Sequence, residues 1–259
     1  MLCISVPWRR VLAAGPPKSH MAGVRMTRNP SFRSGIPRRL TQAAGLVASV
    51  CLASFAFSPG YAREDLASAI AGLQRRYAAV NTLRADFRQT YRAPGVDQTE
   101  SGTMTMKKPG LMRWEYREPE IKLFVADGRD TYLYTPADRQ VLVQRFTAAD
   151  LRSTPLQFLL GQGDIGGSFF VSWEPDLNPL AVGNLLLRLS PRSEEPGYTH
   201  VTIECDGGSF DVRRIVIHER SGNTSEFVFS SQRTNMKVDD RQFQFKIPKG
   251  VEVVRLDER

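Results

Sequence analysis

Leu66, Ile70, Leu73, Tyr77 and Val80 recur at alternating steps of four and three residues. That spacing gathers one apolar stripe on a helix of 3.6 residues per turn, so it predicts an amphipathic helix over 64–80 that ends at Asn81 and Thr82. Arg75 and Arg76 fall off the stripe. The period then changes to two. Leu83, Ala85, Phe87 and Tyr91 alternate with Arg84, Asp86 and Arg88, and Met104 and Met106 alternate with Thr103 and Thr105. Met112, Trp114 and Tyr116 alternate with Arg113, Glu115 and Arg117. Each run reads as a strand with one apolar and one polar face.

Further strands are predicted near 121–126, 131–135, 140–146, 168–173, 184–190, 198–205, 210–219, 224–233 and, briefly, 243–247. Turn residues separate them at Ala93-Pro94-Gly95, Pro109-Gly110, Asp127-Gly128, Pro136-Ala137-Asp138, Glu195-Pro196-Gly197, Asp206-Gly207-Gly208 and Ser221-Gly222-Asn223. Between 146 and 168, Ser153-Thr154-Pro155 offers an N-cap and a first-turn proline for a short helix through Leu156 to Leu160, with Gly161 as its stop. The sum is eleven or twelve antiparallel strands, one long N-terminal helix and one short inserted helix, without repeats or linkers. Many short, evenly spaced strands indicate a barrel or sandwich. The helix stripe finds its most economical partner across the concave face of a curved sheet. On that face two adjacent strands aim three methionines, a Trp and a Tyr in one direction. Such a surface is either ordinary core or the lining of an adaptable apolar site, for which the flexible, polarizable methionine is suited.

Charge changes the picture less than the total suggests. The chain of 259 residues carries 35 Lys+Arg against 27 Asp+Glu, a net charge of +8. Eight of the basic residues and none of the acidic ones precede Arg63, which leaves the remainder neutral. A neutral domain does not present the cationic footprint that nucleic acid requires. The basic leader runs through Arg38-Arg39 into an apolar stretch, Ala43 to Phe57, and ends at Ser58-Pro59-Gly60-Tyr61-Ala62. This is the layout of a cleavable secretion signal, with the cut expected after Ala62, and the stretch is short for a membrane span. Residues 1–62 are therefore read as extension and signal, and 63–259 as one domain. Val50 before Cys51 fits a lipid-attachment motif poorly. The mature chain keeps only Cys205, so no intrachain disulfide is expected even in an oxidising compartment.

Catalytic chemistry is sparse. His200 and His218 fall at polar-facing strand positions, read as solvated, and lack metal-ligand spacing with Cys205. Neither a metal nor a cofactor is expected. Gly161-Gln162-Gly163-Asp164-Ile165-Gly166 matches G-x-G-x-x-G in inverted context, after a helix and before a strand, and reads as a loop. Glu194-Glu195 and Asp239-Asp240 sit among turn residues, where solvated carboxylates are ordinary. Lipid hydrolysis would need a nucleophile and base that the sequence does not display, so no enzyme is expected.

Five landmarks in order, "LRADFRQTY", "SGTMTMKKPGLMRWEY", "FVADGRDTYLYTPADRQV", "TPLQFLL" and "FQFKIPKGVEVV", resemble the periplasmic outer-membrane lipoprotein carrier (LolA) family over nearly all of the mature region. The resemblance implies an unclosed antiparallel β half-barrel of about 11 strands under a helical lid, mainly β with some α. It implies a periplasmic, monomeric chaperone for lipoprotein acyl chains in a hydrophobic cavity. The cargo would come from an inner-membrane ABC lipoprotein-releasing complex and pass to an outer-membrane lipoprotein receptor. The expected acyl-chain lining is Met104, Met106, Met112, Trp114 and Tyr116. The expected lid stripe is Leu66, Ile70, Leu73 and Tyr77, completed by Leu156 and Leu159. The family's lid-contacting base falls on Lys108, whose ammonium lacks the planar fork of the usual Arg. Its expected acceptors are lid-helix carbonyls or an acidic side chain. The alternative is an envelope lipoprotein or lipid sensor built on the same fold. Physics favours shelter for such cargo: three chains of roughly 15 methylenes, at about 0.8 kcal/mol each, would cost on the order of 35 kcal/mol to expose.

Overall fold

The computed structural model describes residues 65–146, 159, 164–192 and 197–256. All of them belong to one compact unit that includes Glu64–Arg259. Helix α1 spans Leu66–Ala78. Strands β1 (Thr82–Ala93), β2 (Val96–Lys107), β3 (Leu111–Glu118), β4 (Lys122–Ala126), β5 (Asp130–Thr135) and β6 (Gln140–Arg145) follow as a meander. A four-residue helix α2 (Ile165–Ser168) leads into β7 (Phe169–Trp173), β8 (Asn184–Pro191), β9 (Tyr198–Asp206), β10 (Val212–Glu219) and β11 (Thr224–Thr234). A 3-10 turn at Asp240–Phe243 and β12 (Glu252–Arg255) complete the order. α2 forms where Gly161 to Gly166 reads as a loop, and of the expected short helix only Leu159 is described, with Leu156 outside the described residues.

The twelve strands among the described residues form one sheet in the order β12-β6-β5-β4-β3-β2-β1-β11-β10-β9-β8-β7. The ends do not meet, so the sheet is unclosed, as expected. Spread flat at about 4.8 Å per strand it would measure about 50 Å across, whereas a 13-residue helix is about 20 Å long. Yet one buried cluster joins Leu73 and Tyr77 of α1 to Phe124 on β4, Leu133 on β5, Phe169 on β7 and Leu189 on β8. Moreover, α1 bonds both to Lys108 at the β2–β3 turn, through the Tyr77 carbonyl, and to Asp164 just before β7, through Gln74, although β2 and β7 lie six steps apart in the sheet; the sheet must therefore curl around the helix.

One expectation fails at the C-terminus. Residues 243–247 form no strand, and the unanticipated β12 pairs in parallel with β6 at the edge of the otherwise antiparallel sheet. The alternation of Phe243 and Phe245 imitates a strand, but these rings serve to dock the chain on the convex side. Phe243 is buried, and Phe245 meets Tyr132 and Tyr134 at 5.3 and 5.8 Å. Phe124, Leu133 and Leu142 face the concave cluster, so by alternation Val125, Val141 and Val143 face the other way. They are buried there, and neither they nor Phe243 and Val238 belong to the concave cluster. The Lys107 ammonium donates to the Val238 carbonyl at 3.2 Å, and Arg113 donates to that of Gln242 at 3.1 Å, fastening this covering segment.

Candidate functional site

The concave face is built in rows that run across the strands. Leu83, Met106, Met112 and Ala126 pair in register across β1 to β4. The next row is Ala85, Met104, Trp114, Phe124 and Leu133. The next is Phe229, Phe87, Gly102, Tyr116 and Lys122. Met104, Met106, Met112, Trp114 and Tyr116 thus lie together, as the alternation implies, and all are buried beneath α1.

Gly102 is a position the sequence reading passed over. A β-carbon there would stand 1.9 Å from the Glu115 carbonyl oxygen, so only glycine lets β2 and β3 approach so closely. Its missing side chain also lets Phe87 and Tyr116, on the strands either side, meet over it at 5.0 Å. Phe87 reaches Trp114 edge-on at 4.8 Å, and Trp114 reaches Phe227 at 5.9 Å. The aromatic floor therefore crosses β11, β1 and β3 as a connected group of edge-to-face contacts.

Helix α1 lies on this floor by its stripe. Leu73 and Tyr77 are buried, Leu66 and Ile70 are partly buried against the cluster, and Leu159 joins it. Polar bonds fasten the helix at its C-terminal half. Lys108, at the β2–β3 turn, donates to the carbonyls of Tyr77 and Ala78 at 3.0 and 2.8 Å. These belong to the last turn, whose carbonyls lack helical partners and whose dipole favours a cation. Partial desolvation lowers the Lys108 pKa. The Asn235 side chain donates to the Ala79 carbonyl at 3.0 Å and accepts from the Asn81 amide at 2.7 Å.

The β9–β10 turn holds the other side. Arg76, which helical spacing places off the stripe, pairs with Asp211 at 2.7 Å. The Val212 amide donates to the Tyr77 hydroxyl at 3.0 Å, and burial pushes that phenol's pKa up. Phe210, in the left-handed region at φ 58, lays its ring over Gly72. A β-carbon on Gly72 would stand 2.3 to 2.6 Å from that ring. These contacts link residues some 135 positions apart, and sequence pattern carries no trace of them.

On the convex side of β8–β11 the polar positions are less solvated than alternation suggests. Glu204 is fully buried against Arg214 at 2.6 Å, and Arg214 also pairs with Glu226 at 3.4 Å. The loop from Glu174 to Gly183 covers them: the Leu180 amide donates to Glu204, and Arg214 donates to the Asn178 carbonyl, both at 2.6 Å. Burial works against the Glu174 charge, but bonds from Arg188, the Asp176 amide and Thr202 outweigh it and hold its carboxyl at about 2. His200 and His218 are half-buried and stacked at 3.9 Å, not solvated. Burial, then His218 and Arg188, lower the His200 pKa to about 4. Among the described residues no group of three His, Cys, Asp or Glu side chains is placed to hold a metal, and Cys205 is buried. No described helix is long and apolar enough to cross a membrane.

An unclosed, curled sheet with an apolar, aromatic floor under one amphipathic helix defines the class of this protein. The family model for the outer membrane lipoprotein carrier protein LolA matches residues 78–246. An outer-membrane lipoprotein carrier protein from Chromobacterium violaceum is 31% identical over 80% of this chain and 97% of its own length. Another from Bordetella bronchiseptica is 31% identical over 84% and 99%. A solved LolA superfamily protein from Nitrosomonas europaea aligns over 69% of this chain and 97% of its own, with 13% identity and a TM-score of 0.40. The chain belongs to the LolA family.

Proposed function

We propose that this protein is a periplasmic carrier that shelters lipoprotein acyl chains between α1 and the concave sheet, and moves lipoproteins from the inner to the outer membrane. It would load from an ABC releasing complex and unload to an outer-membrane receptor. The observation that carries the reading is how α1 is held. Its underside is apolar and continuous with the sheet's cluster, whereas its fastenings are hydrogen bonds and an ion pair. Water can replace such bonds at a net cost of about 0.5–1.5 kcal/mol each. Acyl chains can replace the apolar contacts methylene for methylene, so an occupied open state lies within reach of the closed one.

Met104, Met106, Met112, Trp114 and Tyr116 would line the chains. Leu66, Ile70, Leu73, Tyr77 and Leu159 would form the moving side, and Lys108 the latch. Leu156, outside the described residues, is assigned to the same lid by sequence alone. Native mass spectrometry of protein taken from the periplasm tests the reading. Adducts with the mass of acylated polypeptides are the expected result. An empty protein bound to a membrane regulator would overturn it in favour of an envelope sensor.

A further inference from the structure

The concave face changes character along its strands. Near the Lys108 turn its rows are wholly apolar, and the third row ends in Lys122. The next position brings Gln89 of β1 opposite Glu100 of β2 on one side and Phe227 of β11 on the other. One step further, Ser225 of β11 lies opposite Tyr91. Gln89 is wholly buried, and its Oε1 accepts from the Tyr116 hydroxyl at 3.2 Å. Its Nε2 has no hydrogen-bond partner among the described residues, and neither has the Oγ of Ser225, a residue only 1% exposed. Glu100 is buried too; it is bonded to Lys122 and accepts from Gln98 at 3.2 Å. The Lys122 ammonium stands 5.0 Å from the centre of the Tyr116 ring.

An orphaned amide and hydroxyl lose their water and gain nothing, where a methionine of similar length would pack without that penalty. Hydrocarbon cannot satisfy them. We propose that Gln89 and Ser225, at the polar end of this floor, donate to the ester carbonyl oxygens that join acyl chains to the cargo's head. The inference rests on the carrier reading above and adds to it where the head of the cargo sits. A neutral carbonyl suits the place better than a carboxylate or phosphate, because Glu100 already neutralises Lys122. The ladder of rows then has a direction: chain ends towards the methionines, carbonyls towards Gln89.

The probes are a synthetic triacylated cysteinyl peptide with ester-linked glyceryl chains and its counterpart with both esters replaced by ethers. Binding is measured by isothermal titration to the wild type, Gln89→Met, Ser225→Ala and the double variant, each checked for native circular dichroism. The wild type is expected to favour the ester peptide about tenfold. Each single variant should reduce that preference, the double variant should bring it close to one, and affinity for the ether peptide should be unchanged. A wild type that binds both peptides equally, or variants that keep the full preference, overturn the carbonyl site and leave the carrier reading standing. Binding of neither peptide to the wild type overturns both.

Discussion

Replacing Gly72 by alanine separates the closing of α1 from the stability of the sheet. In a helix interior alanine is favoured over glycine by about 1 kcal/mol, whether or not the helix is docked. The new β-carbon would meet the Phe210 ring at 2.3 to 2.6 Å, where carbon atoms prefer about 3.5–4.0 Å. The ring must therefore withdraw by about 1 Å or more. Its backbone is pinned, because the Phe210 amide donates to the Asp206 carbonyl at 2.9 Å and the residue already holds a positive φ. Overpacking of this kind costs about 1–3 kcal/mol and falls on the closed state alone. The expected outcome is a shift from closed to open of roughly fivefold to 150-fold, with total stability lowered by at most about 2 kcal/mol because the helical gain offsets part of the clash. Hydrogen exchange reads the first quantity at the amides of 69–79, and the urea midpoint reads the second. Phe210→Ala in the same chain should restore protection, because it removes the ring that the methyl strikes. Protection of 69–79 that stays level or rises in Gly72→Ala would refute the argument.

Lys108→Leu removes both bonds to the end of α1 and is expected to favour the open state about tenfold, less than two full charged bonds because the lysine is partly solvated, and to raise binding of an environment-sensitive apolar dye. Lys108→Arg should keep closure, and equal dye binding by wild type and both variants would remove the latch. Trp114→Asp places a charge in the aromatic floor; uptake of an acylated peptide should fail while the circular dichroism of the sheet survives, and global unfolding instead would make Trp114 ordinary core. His200 is held neutral, with a pKa near 4 against its ordinary 6.5, so its contribution to stability is full above 6.5 and is lost as pH falls towards 4. The urea midpoint should fall across that window. In His200→Gln the fall should be smaller, leaving the separate loss that begins below about 4.5 as Glu174 protonates.

The fold was legible wherever one side of an element alone meets the core. The stripe from Leu66 to Tyr77 marks α1, and the Met-Trp-Tyr alternation marks β2 and β3 with their inward faces correct. Illegible features are those in which both faces are covered. Val141 and Val143 alternate as any strand would, and nothing in their spacing reveals that the C-terminal segment, rather than water, lies over them. Glu204 and Arg214 occupy polar positions and look solvated until the loop after Glu174 is seen folded across them. The site followed the same rule. For the candidate site, alternation foretold the shared burial of its apolar residues and the resemblance pointed to Lys108 beside the helix, whereas Gly102, the Gly72–Phe210 contact and the Arg76–Asp211 pair depend on chain segments that meet only after the sheet has curled.

The convex layer under Phe243 and Phe245 bears on what the molecule survives. A sheet packed on one side only puts its strand register at risk when the contents of that side are exchanged. Here Val125, Val141, Val143 and Val238 are enclosed on the far side of the strands, apart from the cluster that α1 covers. That second interior acts as a keel. On the carrier reading it would hold β3 to β6 in register while acyl chains enter and leave the concave side, one compartment serving as a vessel while the other stays shut.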